Sequence, residues 1–125
     1  MKYIIQIKHF LQLGIVFLLF TASSAAFAHA FPVNNMPGAG ASLEKAPTAV
    51  SIEFDGELEP VFSKLIVKDV NGMQVSQGQG QVEESNAKIL TTKLNKIGPG
   101  QYHVYWNVVS RDGHRTQGDY TFTVE

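Results

Sequence analysis

The chain predicts an all-β fold, and three observations carry that prediction. Several short runs alternate apolar and polar residues with a period of two. Turn-forming residues separate them, and no segment sustains a helical period. A domain of about 100 residues built from such strands suits a two-sheet sandwich.

The first 28 residues stand apart. Lys2 and Lys8 precede a run from Phe10 to Phe20 that is apolar except for Gln12, and small residues follow through Ala28. This is the charged, apolar, small-residue order of a secretory signal peptide. The eleven-residue apolar run is short for a bilayer-spanning helix, which needs roughly 20 residues. A cleaved leader is therefore expected over residues 1–28, with a soluble domain over 29–125 and no stable membrane insertion after cleavage. Ala26-Phe27-Ala28 satisfies the A-x-A rule for cleavage, and so does Ala28-His29-Ala30. The first cut leaves His29 as the amino terminus and the second discards it.

The elements of residues 29–125 follow in order. Pro32, Pro37, Gly38 and Gly40 make the opening stretch irregular and exclude a long helix or a central strand. From Thr48, the residues Val50, Ile52 and Phe54 alternate with Ser51, Glu53 and Asp55, a half-buried strand that Glu57-Leu58-Glu59-Pro60 breaks. Leu65-Ile66-Val67 opens a second strand, and Asn71-Gly72 signals a hairpin turn with Met73 to Val75 returning. Gln77 to Gln81 reads as loop and Ile89 to Leu94 as strand. Gly98-Pro99-Gly100 is a turn. Tyr102, Val104, Trp106 and Val108 then give the clearest alternation in the chain, and Tyr120, Phe122 and Val124 repeat it at the end.

Composition narrows the chemistry. Residues 29–125 hold eight basic and eleven acidic side chains, a net charge of about −3, with no basic patch interleaved with aromatics, so nucleic acid is not an expected partner. Cysteine is absent, which removes disulfides, thiolate ligands and a cysteine nucleophile. There is no Gly-x-Ser-x-Gly elbow and no phosphate-binding glycine loop, so hydrolase and nucleotide-dependent readings lack support. Any metal must be held by nitrogen, oxygen or thioether.

The candidate ligands are few. A free amine on His29 and its own imidazole can chelate one ion. Asp112 and His114 are two apart, and in an extended backbone their Cα atoms would lie roughly 6.6 Å apart on one face. The bland alternative is a turn in which Asp112 caps the backbone and His114 faces solvent. His103 reads as a surface histidine. The acidic group Asp55, Glu57 and Glu59 lacks the ligand spacing of a calcium loop and reads as solvated. Met36 and Met73 are the only methionines in residues 29–125, too few for a methionine-rich Cu(I) site.

Two stretches together resemble one family. His29-Ala30 followed by Pro37-Gly38-Ala39-Gly40 is similar to the His-Ala…Pro-Ala-x-Gly opening of CopC-type copper-resistance proteins. Residues 100–114, GQYHVYWNVVSRDGH, resemble that family's Gly-x-Tyr-x-Val-x-Trp-x-Val-Val-Ser-x-Asp-Gly-His motif, and Gly118 and Phe122 continue it. The resemblance implies an immunoglobulin-like or cupredoxin-like Greek-key β-sandwich, periplasmic, binding one Cu(II) ion per chain. It implies His29, Asp112 and His114 as metal ligands, and an inner-membrane copper importer of the CopD type as partner. A site built on Asp112 and His114 wants a histidine terminus, which selects cleavage after Ala28. Some members place a glutamate near the copper, at a position that aligns with Gly56 here; Asp55 and Glu57 flank it. The implied function is copper buffering or transfer rather than catalysis. The alternative class is a small copper-dependent oxidative enzyme using the same N-terminal histidine chelate, set against the open metal position that catalysis requires.

Overall fold

The inward residues of the alternating runs form one core. Val50, Ile52, Leu65, Val67, Leu90, Val104 and Val108 are fully buried, and Phe54 and Phe122 nearly so. The computed structural model describes residues 29–125, and the expected leader, residues 1–28, lies outside the described residues. Eight strands are present: β1 (Pro32–Met36), β2 (Ser42–Leu43), β3 (Ala49–Phe54), β4 (Lys64–Asp69), β5 (Gln81–Val82), β6 (Ile89–Lys93), β7 (Gly100–Val109) and β8 (Arg115–Val124). A short 3-10 turn covers Pro60–Phe62.

The strands form two four-stranded sheets, ordered β1-β3-β6-β5 and β2-β8-β7-β4. All pairings are antiparallel except β2 with β8. The chain crosses between sheets after β1, β2, β3, β4 and β6. This is the strand order of an immunoglobulin-like Greek-key sandwich, with a short parallel strand added beside the last one. Tyr102, near the start of β7, donates its hydroxyl to the Gly98 carbonyl at 2.7 Å, the tyrosine corner of such folds. Its ring stacks on Phe122 at 5.5 Å.

The structure corrects the strand reading at five segments. The opening stretch contains a strand, β1, although the exclusion of a central strand holds. Pro32 sits at its first position, where a missing N–H is tolerated on a sheet edge. A register shift between Pro32 and Asn34 destroys the alternation that would have revealed it. Met73 to Val75 forms no strand. Asp69 closes the expected turn by accepting the Asn71 and Met73 amides, both at 2.9 Å. The chain then meets β4 through one backbone bridge at Gln74 and through the Ser76 hydroxyl, which accepts the Val67 amide at 2.9 Å, while Ser76 itself bridges to Leu94 in the other sheet. A segment that changes sheets within three residues cannot extend a ladder in either. The last correction concerns β8, which begins at Arg115, five residues before the apolar run starts, while β2 and β5 are two-residue strands too short to show a period.

The early part of β8 was hidden because its inward positions are Thr116 and Gly118. Gly118 faces the Trp106 indole so closely that a Cβ there would lie 2.5 Å from Cζ2 and 2.8 Å from Cε2. The missing side chain lets Trp106 lie flat against β8 and meet Phe54 edge-on, with ring centroids 5.4 Å apart at 73°. Gly118→Ala should therefore push the indole off Phe54 and cost about 1–3 kcal/mol. For a domain this size the melting temperature should fall by roughly 4–8 °C per kcal/mol. Trp106 is the only tryptophan, so its emission reports the displacement directly. Unchanged emission and melting temperature would show that the indole has room to spare.

Candidate metal centre

The β7–β8 connection places Asp112 and His114. Ser110 ends the strand and is almost fully buried, and its N–H donates to the His114 carbonyl at 2.9 Å. Gly113 donates to the Ser110 carbonyl at 2.9 Å and adopts φ of 87°, a left-handed conformation that glycine enters without a Cβ clash. The result is a three-residue hairpin loop. Leu58 pairs with Ser110, and Arg111 donates to the Glu57 carbonyl at 3.0 Å, so the 57–59 segment braces one side of the loop.

The loop brings Asp112 and His114 together through a turn rather than along an extended strand. Asp112 Oδ2 lies 2.8 Å from His114 Nδ1, and Oδ1 accepts the His114 amide at 3.1 Å. The Ser110 hydroxyl donates to Oδ1 as well. Asp112 thus caps the backbone, as the bland alternative supposed, and grips the imidazole at the same time. His114 remains 59% exposed and Asp112 24%. With Nδ1 engaged, Nε2 is the ring nitrogen left free, the arrangement in which a carboxylate orients a metal-binding histidine.

His29 arrives from the far end of the sequence. Its ring centroid lies 4.3 Å from that of His114 and 6.3 Å from that of Phe31. Three hydrogen bonds and one buried methyl hold it there. Thr116 Oγ1 donates to the Ala30 carbonyl at 2.6 Å. The Phe31 amide donates to Asp55 Oδ1 at 2.7 Å, and the Asp55 amide returns a bond to the Phe31 carbonyl at 2.9 Å. Ala30 itself is fully buried. Gly56 lies beside it, and a Cβ at Gly56 would sit in ordinary contact, 3.7 Å from the Ala30 Cα and Cβ.

The structure therefore gathers His29, Asp112 and His114 at one end of the sandwich. Among the described residues no cluster of three or more His, Cys, Asp or Glu side chains forms a ready metal cage. The physical reasons are visible. In the uncleaved chain the His29 nitrogen is a peptide amide, and the Asp112 carboxylate is spent on Ser110 and His114. Asp55 is occupied by the Phe31 amide, while Glu57 and Glu59 lie 3.8 Å from the Arg111 guanidinium. His103 is remote from this end and faces Asp119 on the outer surface of the second sheet. Sequence reasoning missed Ser110 and Thr116. Thr116 had left a trace: it is in phase with the inward Tyr120, Phe122 and Val124, and an inward hydroxyl needs a partner.

Electrostatics follow from the loop. The Ser110 hydroxyl, then the amide and imidazole of His114, lower the Asp112 pKa to about 2. A carboxylate with a depressed folded pKa contributes stability above its unfolded value near 3.8, and that contribution is lost as pH falls through about 2. In the metal-free protein, carboxyl carbon shifts should place the Asp112 midpoint near pH 2. Ser110→Ala should raise it toward the ordinary range, and an unmoved midpoint would remove Ser110 as the main cause.

Comparison with known proteins places this geometry in a family. The CopC domain model matches residues 33–125. The copper transport protein CutJ of Bacillus subtilis strain 168 is 36% identical over 111 residues, covering 88% of this chain and 20% of CutJ. The chain thus spans about a fifth of that relative's length. Protein YobA of Escherichia coli K12 is 33% identical over 102 residues, covering 81% of this chain and 82% of YobA. Among solved structures, CopC from Methylosinus trichosporium OB3b superposes with a TM-score of 0.73 at 31% identity, covering 78% of this chain and 94% of that one. PcoC, a methionine-rich copper resistance protein from Escherichia coli, superposes with a TM-score of 0.63 at 26% identity, covering 78% of this chain and all of PcoC. A sandwich of this strand order, matched by the domain model along all but its first four described residues, makes the chain a member of the CopC family.

Proposed function

We propose that the mature protein is a periplasmic Cu(II)-binding protein that takes one ion per chain through His29, Asp112 and His114. The observation that carries this reading is the 4.3 Å approach of two imidazoles from opposite ends of the sequence. Nothing in the packing of the core requires two histidine rings to meet at the surface. Cleavage after Ala28 would add a free amine to the His29 imidazole. That set of nitrogen and oxygen donors, without thiolate, suits Cu(II), the most strongly bound of the divalent first-row ions. Relatives named for copper transport and copper resistance support copper as the metal.

Ala30 supports the cut after Ala28. It is fully buried and its carbonyl is bonded to Thr116, so a cut after Ala30 would remove a packed residue along with His29. Met36 and Met73 are both exposed and lie on strands or loops of different sheets, which leaves no paired thioethers for Cu(I). A role in buffering copper, or passing it to an inner-membrane importer of the CopD type, fits the accessible position of His114. In CutJ, a region similar to this chain is joined to a much longer copper transport protein, which fits the transfer half of that reading.

The test uses residues 29–125 with an authentic His29 terminus, titrated with Cu(II) and compared with a form carrying one extra residue ahead of His29. Removing the amine should weaken binding by about tenfold or more, equivalent to at least about 1.4 kcal/mol. His114→Ala and Asp112→Ala should each weaken it as well. Equal affinity in the extended form would exclude the chelate. Oxidation of a sugar polymer by the copper-loaded, reductant-primed protein would point to the enzymatic class instead. Affinity should also fall between pH 7 and 5, because protons compete for amine and imidazole nitrogens. Asp112, ionised down to about pH 2, contributes nothing to that loss.

A further inference from the structure

We propose that Thr116 is a positioning residue for the metal site, a clamp that fixes the second residue of the mature chain and thereby sets where His29 lies. The inference rests on the copper-binding reading above and adds to it the device that orders the site before any metal arrives.

Chain termini are ordinarily poorly ordered unless something ties them down. Here Asp55 holds both backbone groups of Phe31, but neither of those bonds reaches Ala30 or His29. The Thr116–Ala30 bond at 2.6 Å is the hydrogen bond that does, beside the buried Ala30 methyl. It also has a particular origin. Thr116 lies two residues beyond His114, at the start of β8 and opposite Val108 in the ladder. Asp55, by contrast, follows the end of β3 in the other sheet. Thr116 therefore ties His29 to the same short piece of strand that carries His114, so the two imidazoles share one anchor.

Burial explains why Ala30 is small. The methyl is fully buried between Gly56 and the sandwich edge, and the carbonyl beside it would be an unpaired acceptor without the hydroxyl. A terminus already held in place need not be ordered when the ion binds, and preorganisation of this kind raises affinity by removing that entropic loss.

The experiment separates the hydroxyl from the methyl of Thr116 in the mature 29–125 protein. Thr116→Val keeps the methyl and loses the donor, while Thr116→Ser keeps the donor and loses the methyl. Two readouts are taken: the backbone 15N relaxation of Ala30 and Phe31 without metal, and the Cu(II) dissociation constant. Thr116→Val should mobilise Ala30 and weaken Cu(II) binding about tenfold, the amount expected of one lost hydrogen bond. Thr116→Ser should behave as the parent in both. Unaltered order and affinity in Thr116→Val would overturn the proposal. So would the reverse pattern, with Ser impaired and Val intact, because it would assign the effect to packing. If the parent protein bound no Cu(II), the functional reading would fall while the relaxation data still decided whether the clamp exists.

Discussion

The edge-on contact between Phe54 of β3 and Trp106 of β7 joins the two sheets near the end of the sandwich where His29 and His114 meet. No cysteine is present to do this covalently. The site draws on both sheets, since Asp55 follows β3 in one and the Ser110–His114 loop joins β7 to β8 in the other. Any sliding of one sheet over the other would pull Asp55, which holds Phe31, away from the strand whose Thr116 holds Ala30. Close packing resists such sliding, because interiors at crystal-like density have no space into which to shift. Gly118 belongs to the same argument, for it removes the one Cβ that would keep Trp106 from seating.

On that frame the loop chemistry is local and inexpensive. Ser110 is buried because it ends a central strand, and its hydroxyl needs an acceptor there. Asp112 supplies it, and in doing so is held ionised and aimed at His114. One carboxylate thus satisfies a buried hydroxyl, caps a turn amide and fixes an imidazole. The loop has its shape without metal, and the His114 side chain stays exposed on it.

The sequence was most readable where one face of a strand is apolar throughout. Val50, Ile52 and Phe54, and Tyr102, Val104, Trp106 and Val108, alternate without interruption, and both strands were found with their inward faces correct. The Asn71-Gly72 turn was readable because its geometry is local, closed by Asp69 one turn earlier. Reading failed where the inward positions are not apolar or where pairing is irregular. β1 carries a proline and a register shift, and the first half of β8 points Thr116 and Gly118 inward. At the site, the spacing of Asp112 and His114 alone fitted a capped turn as well as a metal site, and it was the family resemblance that implied His29, Asp112 and His114 together; the fold brings His29 to His114 and His114 to Asp112. Their route to one another was not readable, because it depends on long-range bonds. The contact between Thr116 and Ala30 links residues 86 apart, and no spacing rule reaches that far.

That long-range contact also bears on the choice between the two cleavage positions, which the A-x-A pattern alone cannot decide. A leader is removed by reading a few residues around the cut, whereas the fold is selected on what remains. A cut after Ala30 would leave a chain starting at Phe31, with Thr116 facing no acceptor and the space beside Gly56 empty. A cut after Ala28 leaves two residues, of which Ala30 fills that space and His29 reaches His114. The buried methyl and the bonded carbonyl of Ala30 are thus the folded domain's own argument for a histidine terminus. That argument is independent of copper, since it rests on satisfying a hydroxyl and filling a gap. The terminus that suits the packing is the same one that the proposed chelate requires.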